Sequence, residues 1–134
     1  MFSKSLDNGE TFSNSIVVSE NSLGPYHAEL ATEGQNVYIV WNSFGTETSN
    51  IILLAKSNDE GKTFGELIEI GEGDTETYPK IAANANEYYI TWDRRDHKDT
   101  EILLSKGHKD YNHIQNVTQI EKLNNEDVDG GESQ

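Results

Sequence analysis

The octapeptide Ser5-Leu6-Asp7-Asn8-Gly9-Glu10-Thr11-Phe12 returns 52 residues later as Ser57-Asn58-Asp59-Glu60-Gly61-Lys62-Thr63-Phe64, with Ser, Asp, Gly, Thr and Phe kept in place. Tyr38-Ile39-Val40-Trp41 returns as Tyr89-Ile90-Thr91-Trp92 after 51 residues, and Ile52-Leu53-Leu54 as Ile102-Leu103-Leu104 after 50. Three matches at nearly one period, drifting as loops lose a residue, mark stacked copies of a single structural unit. Where a third octapeptide is due, His108-Lys109-Asp110-Tyr111-Asn112 replaces the turn, so that copy is degenerate.

Within one period the apolar segments are short and β-rich, with Gly, Asn, Asp, Ser or Thr clusters between them. None has a helical spacing sustained long enough for a helix. The pattern predicts four strands per period: a first near His27–Thr32 and Pro79–Ala83, a second at Asn36–Trp41 and Glu87–Trp92, a third at Asn50–Lys56 and Thr100–Lys106, and a fourth at Phe64–Ile70 and Ile114–Glu121. Thr11–Val18 reads as a further copy of the fourth. Four strands in about fifty residues is the arithmetic of a β-propeller blade rather than of a helical solenoid. The expected fold is therefore all-β, with four-stranded antiparallel blades in an incomplete ring. Residues 1–18 would supply the last two strands of one blade, 19–70 and 71–122 a blade each, and 123–134 an acidic, disordered tail. Two and a half blades are fewer than the four to eight that close a propeller. Self-association, or further blades of a longer parent chain, is the expected remedy.

The two octapeptides and the Trp that closes each second strand resemble the Asp-box, or BNR, repeats of sialidase-like propellers, over nearly all of the chain up to Glu121. The resemblance implies a structural box made of Ser5, Asp7, Gly9, Thr11 and Phe12, and again of Ser57, Asp59, Gly61, Thr63 and Phe64. It implies a hairpin turn remote from any functional face. The residue chemistry agrees: Asp accepts backbone amides two residues on, Gly takes positive φ, the Thr hydroxyl closes the turn, and the Phe ring packs between sheets. Trp41 and Trp92, at the same strand end in both units, are expected to pack blade against blade rather than to stack on a sugar.

Catalysis has little to work with. A sialidase-like glycoside hydrolase needs several arginines to grip a carboxylate, a Tyr nucleophile with its Glu, and an acid, whereas the chain has only Arg94 and Arg95, side by side. No catalytic residue is carried over by the resemblance. The run Asp93-Arg94-Arg95-Asp96-His97-Lys98-Asp99 is a candidate binding loop, although neighbouring opposite charges also describe a charge-balanced exposed loop. Asn125, Asp127 and Asp129 with Gly130 match the opening of a calcium loop without its closing acid, so no metal is expected there. His27, His97, His108 and His113 lack ligand spacing, and no cofactor is implied.

Twenty-four acidic against 10 basic residues give a net charge of −14, a field that repels nucleic-acid backbones and anionic lipid surfaces. With no cysteine, disulfides and thiolate metal sites are excluded. Ile51–Ala55, the longest apolar run, is too short to cross a bilayer, and Met1-Phe2-Ser3-Lys4 has no signal-peptide core. The resemblance suggests an extracellular or cell-surface setting, in which Asn116-Val117-Thr118 would be a glycosylation site. The expected function is a non-catalytic scaffold or a binding module for a carbohydrate or protein ligand. The alternative is a fragment of a sialidase-like glycoside hydrolase whose catalytic residues lie elsewhere. Any binding is expected on the rim formed by Ser19–Tyr26, Asn42–Ser49, Gly71–Tyr78 and Asp93–Asp99, because scaffolded loops carry function.

Overall fold

The computed structural model describes residues 1–20, 22–45, 49–74, 77–96, 99–112 and 116–124, and these form two four-stranded antiparallel sheets. The first comprises β1 (Leu23–Glu33), β2 (Asn36–Phe44), β3 (Asn50–Ser57) and β4 (Ile68–Gly73). The second comprises β5 (Lys80–Ala83), β6 (Glu87–Asp96), β7 (Asp99–His108) and β8 (Asn116–Asn124). Each sheet is a simple meander in chain order. The described residues contain no helix, and none that could cross a membrane.

The repeat seen in the sequence is a repeat of register. In the first sheet Tyr38 pairs with Lys56, Val40 with Leu54, and Asn42 with Ile52. In the second Tyr89 pairs with Lys106, Thr91 with Leu104, and Asp93 with Ile102. On the opposite faces Trp41 lies against Leu53 and Trp92 against Leu103. Because side chains alternate along a strand, each sheet has a tryptophan face and a Tyr–Lys face.

Those faces decide the packing. The tryptophan face of the second sheet lies on the Tyr–Lys face of the first, in a core of Tyr38, Val40, Ile52, Leu54, Ile68 and Ile70 against Tyr88, Ile90, Trp92 and Leu103. The Trp92 ring lies over Gly71, where any Cβ would overlap it, and its indole N–H donates to the Glu72 carbonyl at 2.9 Å. A second core, of Trp41, Leu53 and Ala55 with Val18, Ile39, Ile51, Phe64 and Leu67, covers the tryptophan face of the first sheet. Both indoles are thus buried, 2% exposed each. β1 runs beside β5, and Lys80 reaches Glu29 across that seam at 3.4 Å.

Several boundaries differ from the sequence-based expectation. β1 starts at Leu23 rather than near His27, through an irregular stretch with register shifts between Leu23, Tyr26 and Glu29. Gly24 and His27 there have φ of +50° and +54°. β4 begins at Ile68 rather than Phe64, since Phe64 and Leu67 pack their side chains before the ladder starts. The fourth-strand copy at Thr11–Val18 is not formed. Among the described residues a single bridge joins Phe2 to Ile16, with the Ser13 amide donating to the Lys4 carbonyl beside it.

Candidate functional site

The two octapeptide turns have one geometry. The Ser5 hydroxyl donates to Asp7 Oδ1 at 2.7 Å and accepts the Gly9 amide at 2.7 Å. Asp7 Oδ1 accepts the Thr11 amide at 2.8 Å, and Oδ2 accepts the Thr11 hydroxyl at 2.5 Å. In the second turn Ser57, Asp59, Gly61 and Thr63 repeat these bonds at 2.7, 2.9, 2.9 and 2.5 Å. The Asp accepts from a residue four positions on, not two. The amide two positions on, of Gly9 and of Gly61, donates instead to Ser Oγ, which also accepts the amide of the Asp itself. Positive φ falls on Asn8 and Gly9, and on Glu60 and Gly61.

The electrostatics follow from that geometry. The Thr11 hydroxyl, then its amide and the Ser5 hydroxyl, hold the Asp7 carboxyl down at about 2. Thr63 and Ser57 lower Asp59 still further in the same way. All these donors favour the ionised form. Both oxygens of each carboxylate are therefore engaged by intra-turn bonds, which suits a turn closure and leaves a poor proton donor.

The phenylalanines part company. Phe64 meets Phe2 edge-on with ring centroids 5.3 Å apart, and Phe2 also lies over Gly61, leaving no room for a Cβ there. Lys4 adds a bond to the Glu60 carbonyl at 2.9 Å. Phe12 was expected to pack between sheets in the same manner, but it is 65% exposed. The reason is the neighbour: the N-terminal segment lies over the second turn, and among the described residues nothing lies equivalently over the first.

The opposite ends of the strands carry the expected rim. The residues assigned there to loops are largely strand ends: Asn42 to Phe44 belong to β2, Gly71 to Gly73 to β4, Asp93 to Asp96 to β6, and Asp99 to β7. The cause is long β6–β7 pairing, which runs out to Asp96 and Asp99. Thr77 ties these ends together. Its hydroxyl donates to the Asp93 carbonyl at 2.8 Å and accepts the Asp74 amide at 2.8 Å, while its carbonyl accepts Asn42 Nδ2 at 3.1 Å. Asn42 also donates to the Asp74 carbonyl at 2.7 Å, and the Arg95 amide donates to Asp74 Oδ2 at 3.0 Å.

Over this frame lies a row of four rings that the sequence reading did not single out. Phe44 packs on Tyr26 at 5.5 Å, Tyr26 meets His27 edge-on at 4.8 Å, and His27 stacks on Tyr78 at 3.8 Å with planes 19° apart. Phe44 and Tyr78 are half exposed, at 51% and 55%. His27 Nδ1 lies 3.1 Å from the Thr77 carbonyl, an acceptor only, so the proton sits on Nδ1 and Nε2 is the acceptor of the neutral ring. Asn50 donates to the Tyr26 hydroxyl. The signal for this row was present only as the scattered Tyr26-His27, Phe44 and Tyr78, 17 and more residues apart, which no local motif joins.

Arg94 is clamped by Glu101 Oε2, at 3.0 Å from Nε and 2.5 Å from the terminal nitrogen, in a partly buried pair on β6 and β7. Arg95 is exposed beside it. His97, and Asn125, Asp127 and Asp129, lie outside the described residues. Among those described, no group of three acidic or histidine side chains could hold a metal ion. A cavity of about 380 Å³ lies at the other end of the strands, lined by Tyr38, Lys56, Ser57, Phe64 and Lys109. There Lys56 donates to the carbonyls of His108, Lys109 and Tyr111, joining the first sheet to the degenerate turn of the second. Comparison with family models, with curated proteins and with solved structures finds no match to this chain.

Proposed function

We propose that the chain is a non-catalytic ligand-binding module of the Asp-box propeller kind, its two sheets acting as adjacent blades and its ligand a carbohydrate held on the rim. The observation that carries this reading is the row Phe44, Tyr26, His27 and Tyr78, with its outer rings half exposed. Flat apolar faces flanked by hydrogen-bonding groups suit the apolar face of a sugar ring, and the His27 Nε2 acceptor and the Tyr hydroxyls supply polar partners beside them. The blade reading is supported by the meander order of each sheet, the repeated register, and the approach of β1 to β5. The Asp-box turns enter as closures at the far end of the strands.

The test is a glycan array followed by amide-shift mapping with the glycan that binds best. The expected result is shifts at Tyr26, His27, Phe44 and Tyr78, with binding lost in Phe44→Ala and Tyr78→Ala proteins whose melting is little changed. Shifts clustered at Asp7 and Asp59, or an array on which no glycan is retained, would overturn it.

A further inference from the structure

We infer that the cleft between the second octapeptide turn and the degenerate turn after β7 is a binding site for a small zwitterion, of the class of a free α-amino acid with an apolar side chain. The inference rests neither on the rim nor on a glycan.

The cleft opens where the repeat breaks. In place of a third octapeptide the chain runs His108-Lys109-Asp110-Tyr111-Asn112, with none of the Ser, Gly and Thr that close the other two turns from within. This turn is held instead by the Tyr111 amide on the His108 carbonyl at 3.2 Å and by the Lys109 amide on the Asn86 carbonyl at 2.9 Å. Between it and the second turn lies the cavity of about 380 Å³, a size ordinary for a small-molecule site.

Tyr38 and Lys56 set the chemistry of the inner end. Tyr38 lines the cavity and is 1% exposed, yet its hydroxyl has no hydrogen-bond partner among the described residues. A buried hydroxyl left unpaired is a cost that an accepting oxygen of a ligand removes. Burial, then Asp110 and Glu33, raises the Tyr38 pKa, so the hydroxyl stays a donor. Lys56 is the cross-strand partner of Tyr38 and lines the same cavity. Its half-buried ammonium meets three neutral carbonyls, of which that of His108 is 3.5 Å away. One ammonium hydrogen is thus loosely held, and a carboxylate placed there accepts from it and from the Tyr38 hydroxyl together.

The outer end has the opposite character. Glu66 and Asp110 line the cavity and are exposed, and with Lys56 and Lys109 they leave its lining with no net charge. A simple anion would meet the two acids and a simple cation would meet Lys56, whereas a zwitterion entering carboxylate first matches both ends. Partly buried Phe64 offers an apolar wall to its side chain.

L-leucine, 4-methylpentanoate and 3-methylbutylamine share one branched body and differ only in their charged groups, so they serve as probes, followed by proton shifts of the intact chain. The expected result is that L-leucine shifts resonances of Tyr38, Asn58, Phe64 and Lys109, with a dissociation constant on the order of 1 mM, as suits so small a ligand. The carboxylate should bind more weakly at the same residues, and the amine should leave them unmoved. Tyr38→Phe removes the unpaired hydroxyl, so melting should be unchanged or raised while L-leucine binds about tenfold more weakly. Asp110→Asn should narrow the difference between L-leucine and 4-methylpentanoate. No shift with L-leucine, or either single-charge probe binding as tightly, would overturn the proposal. So would an unchanged L-leucine affinity in folded Tyr38→Phe protein, or shifts confined to Tyr26, His27, Phe44 and Tyr78. None of these outcomes bears on glycan binding at the rim.

Discussion

At the scale of single residues the octapeptide turns act through hydrogen bonds and backbone angles, and paired substitutions separate the two roles. Gly61→Ala meets both a φ of +79° and the Phe2 ring, while Gly9→Ala meets only a φ of +91° in open space. Gly9→Ala should cost about 1 kcal/mol, and Gly61→Ala about 1 to 3 kcal/mol more through overpacking, as read by urea unfolding. Phe64→Ala should cost about 2 kcal/mol, less than a fully buried ring because Phe64 is only partly buried. Phe12→Ala should stay within about 0.5 kcal/mol. The carboxylates give a pH dependence. Their folded pKa lies below the ordinary 3.8, at about 2 for Asp7, so their contribution is complete above the unfolded value and is lost as pH falls from there through about 2. Denaturation midpoints taken from neutral pH down to about 2 should drop across that window, and Asp59→Asn should flatten the drop. The turns were legible in the sequence because Ser, Asp, Gly and Thr act on one another within eight residues. The fate of Phe12 was not, because its cover depends on what lies over it and not on its own motif.

At the scale of elements, strand centres followed the apolar pattern and strand ends did not. Tyr38 to Trp41 and Ile52 to Leu54 fall in β2 and β3, where the short apolar segments and their repeat placed strands. The extension of β6 through Arg94 and Arg95 comes instead from cross-strand pairing with Thr100 and Glu101, and the Arg94–Glu101 pair keeps charge within a strand that looked like a loop. The rim rings escaped notice for a related reason: the irregular register of β1, with positive φ at Gly24 and His27, brings Tyr26 and His27 between Phe44 and Tyr78. The tie between elements at the other end is Lys56, whose ammonium is partly desolvated, so that burial lowers its pKa. Lys56→Met should cost about 1 to 2 kcal/mol and speed hydrogen exchange of the Lys109 and Tyr111 amides. Lys106→Met, which removes only an exposed pair with Glu87, should cost less than about 0.5 kcal/mol. Equal costs for the two lysines would show that the contact with the turn carbonyls adds nothing.

At the scale of the whole molecule, the fifty-residue repeat produces two sheets of the same register stacked tryptophan face on Tyr–Lys face, and everything proposed about the rim and the cleft depends on that order. The sequence periodicity implied stacked units, but it could not say which face of one meets which face of the next, since both faces are apolar along β2 and β3. That choice is made by pairwise fit. Gly71 leaves space for the Trp92 ring, and Gly107 leaves space for Tyr88, whose ring lies 5.2 Å from that of Tyr38. Burial of the Tyr88 hydroxyl, with a smaller part from Tyr38, pushes its pKa up to about 12, as befits a ring enclosed between sheets. The most direct measurement is a set of long-range proton NOEs in solution. The account predicts NOEs from the Trp92 indole to the Gly71 α-protons and between the Tyr38 and Tyr88 rings. NOEs from Tyr38 or Val40 to Tyr89 and Leu104 in their place would mean that the second sheet presents its other face to the first, and would contradict it.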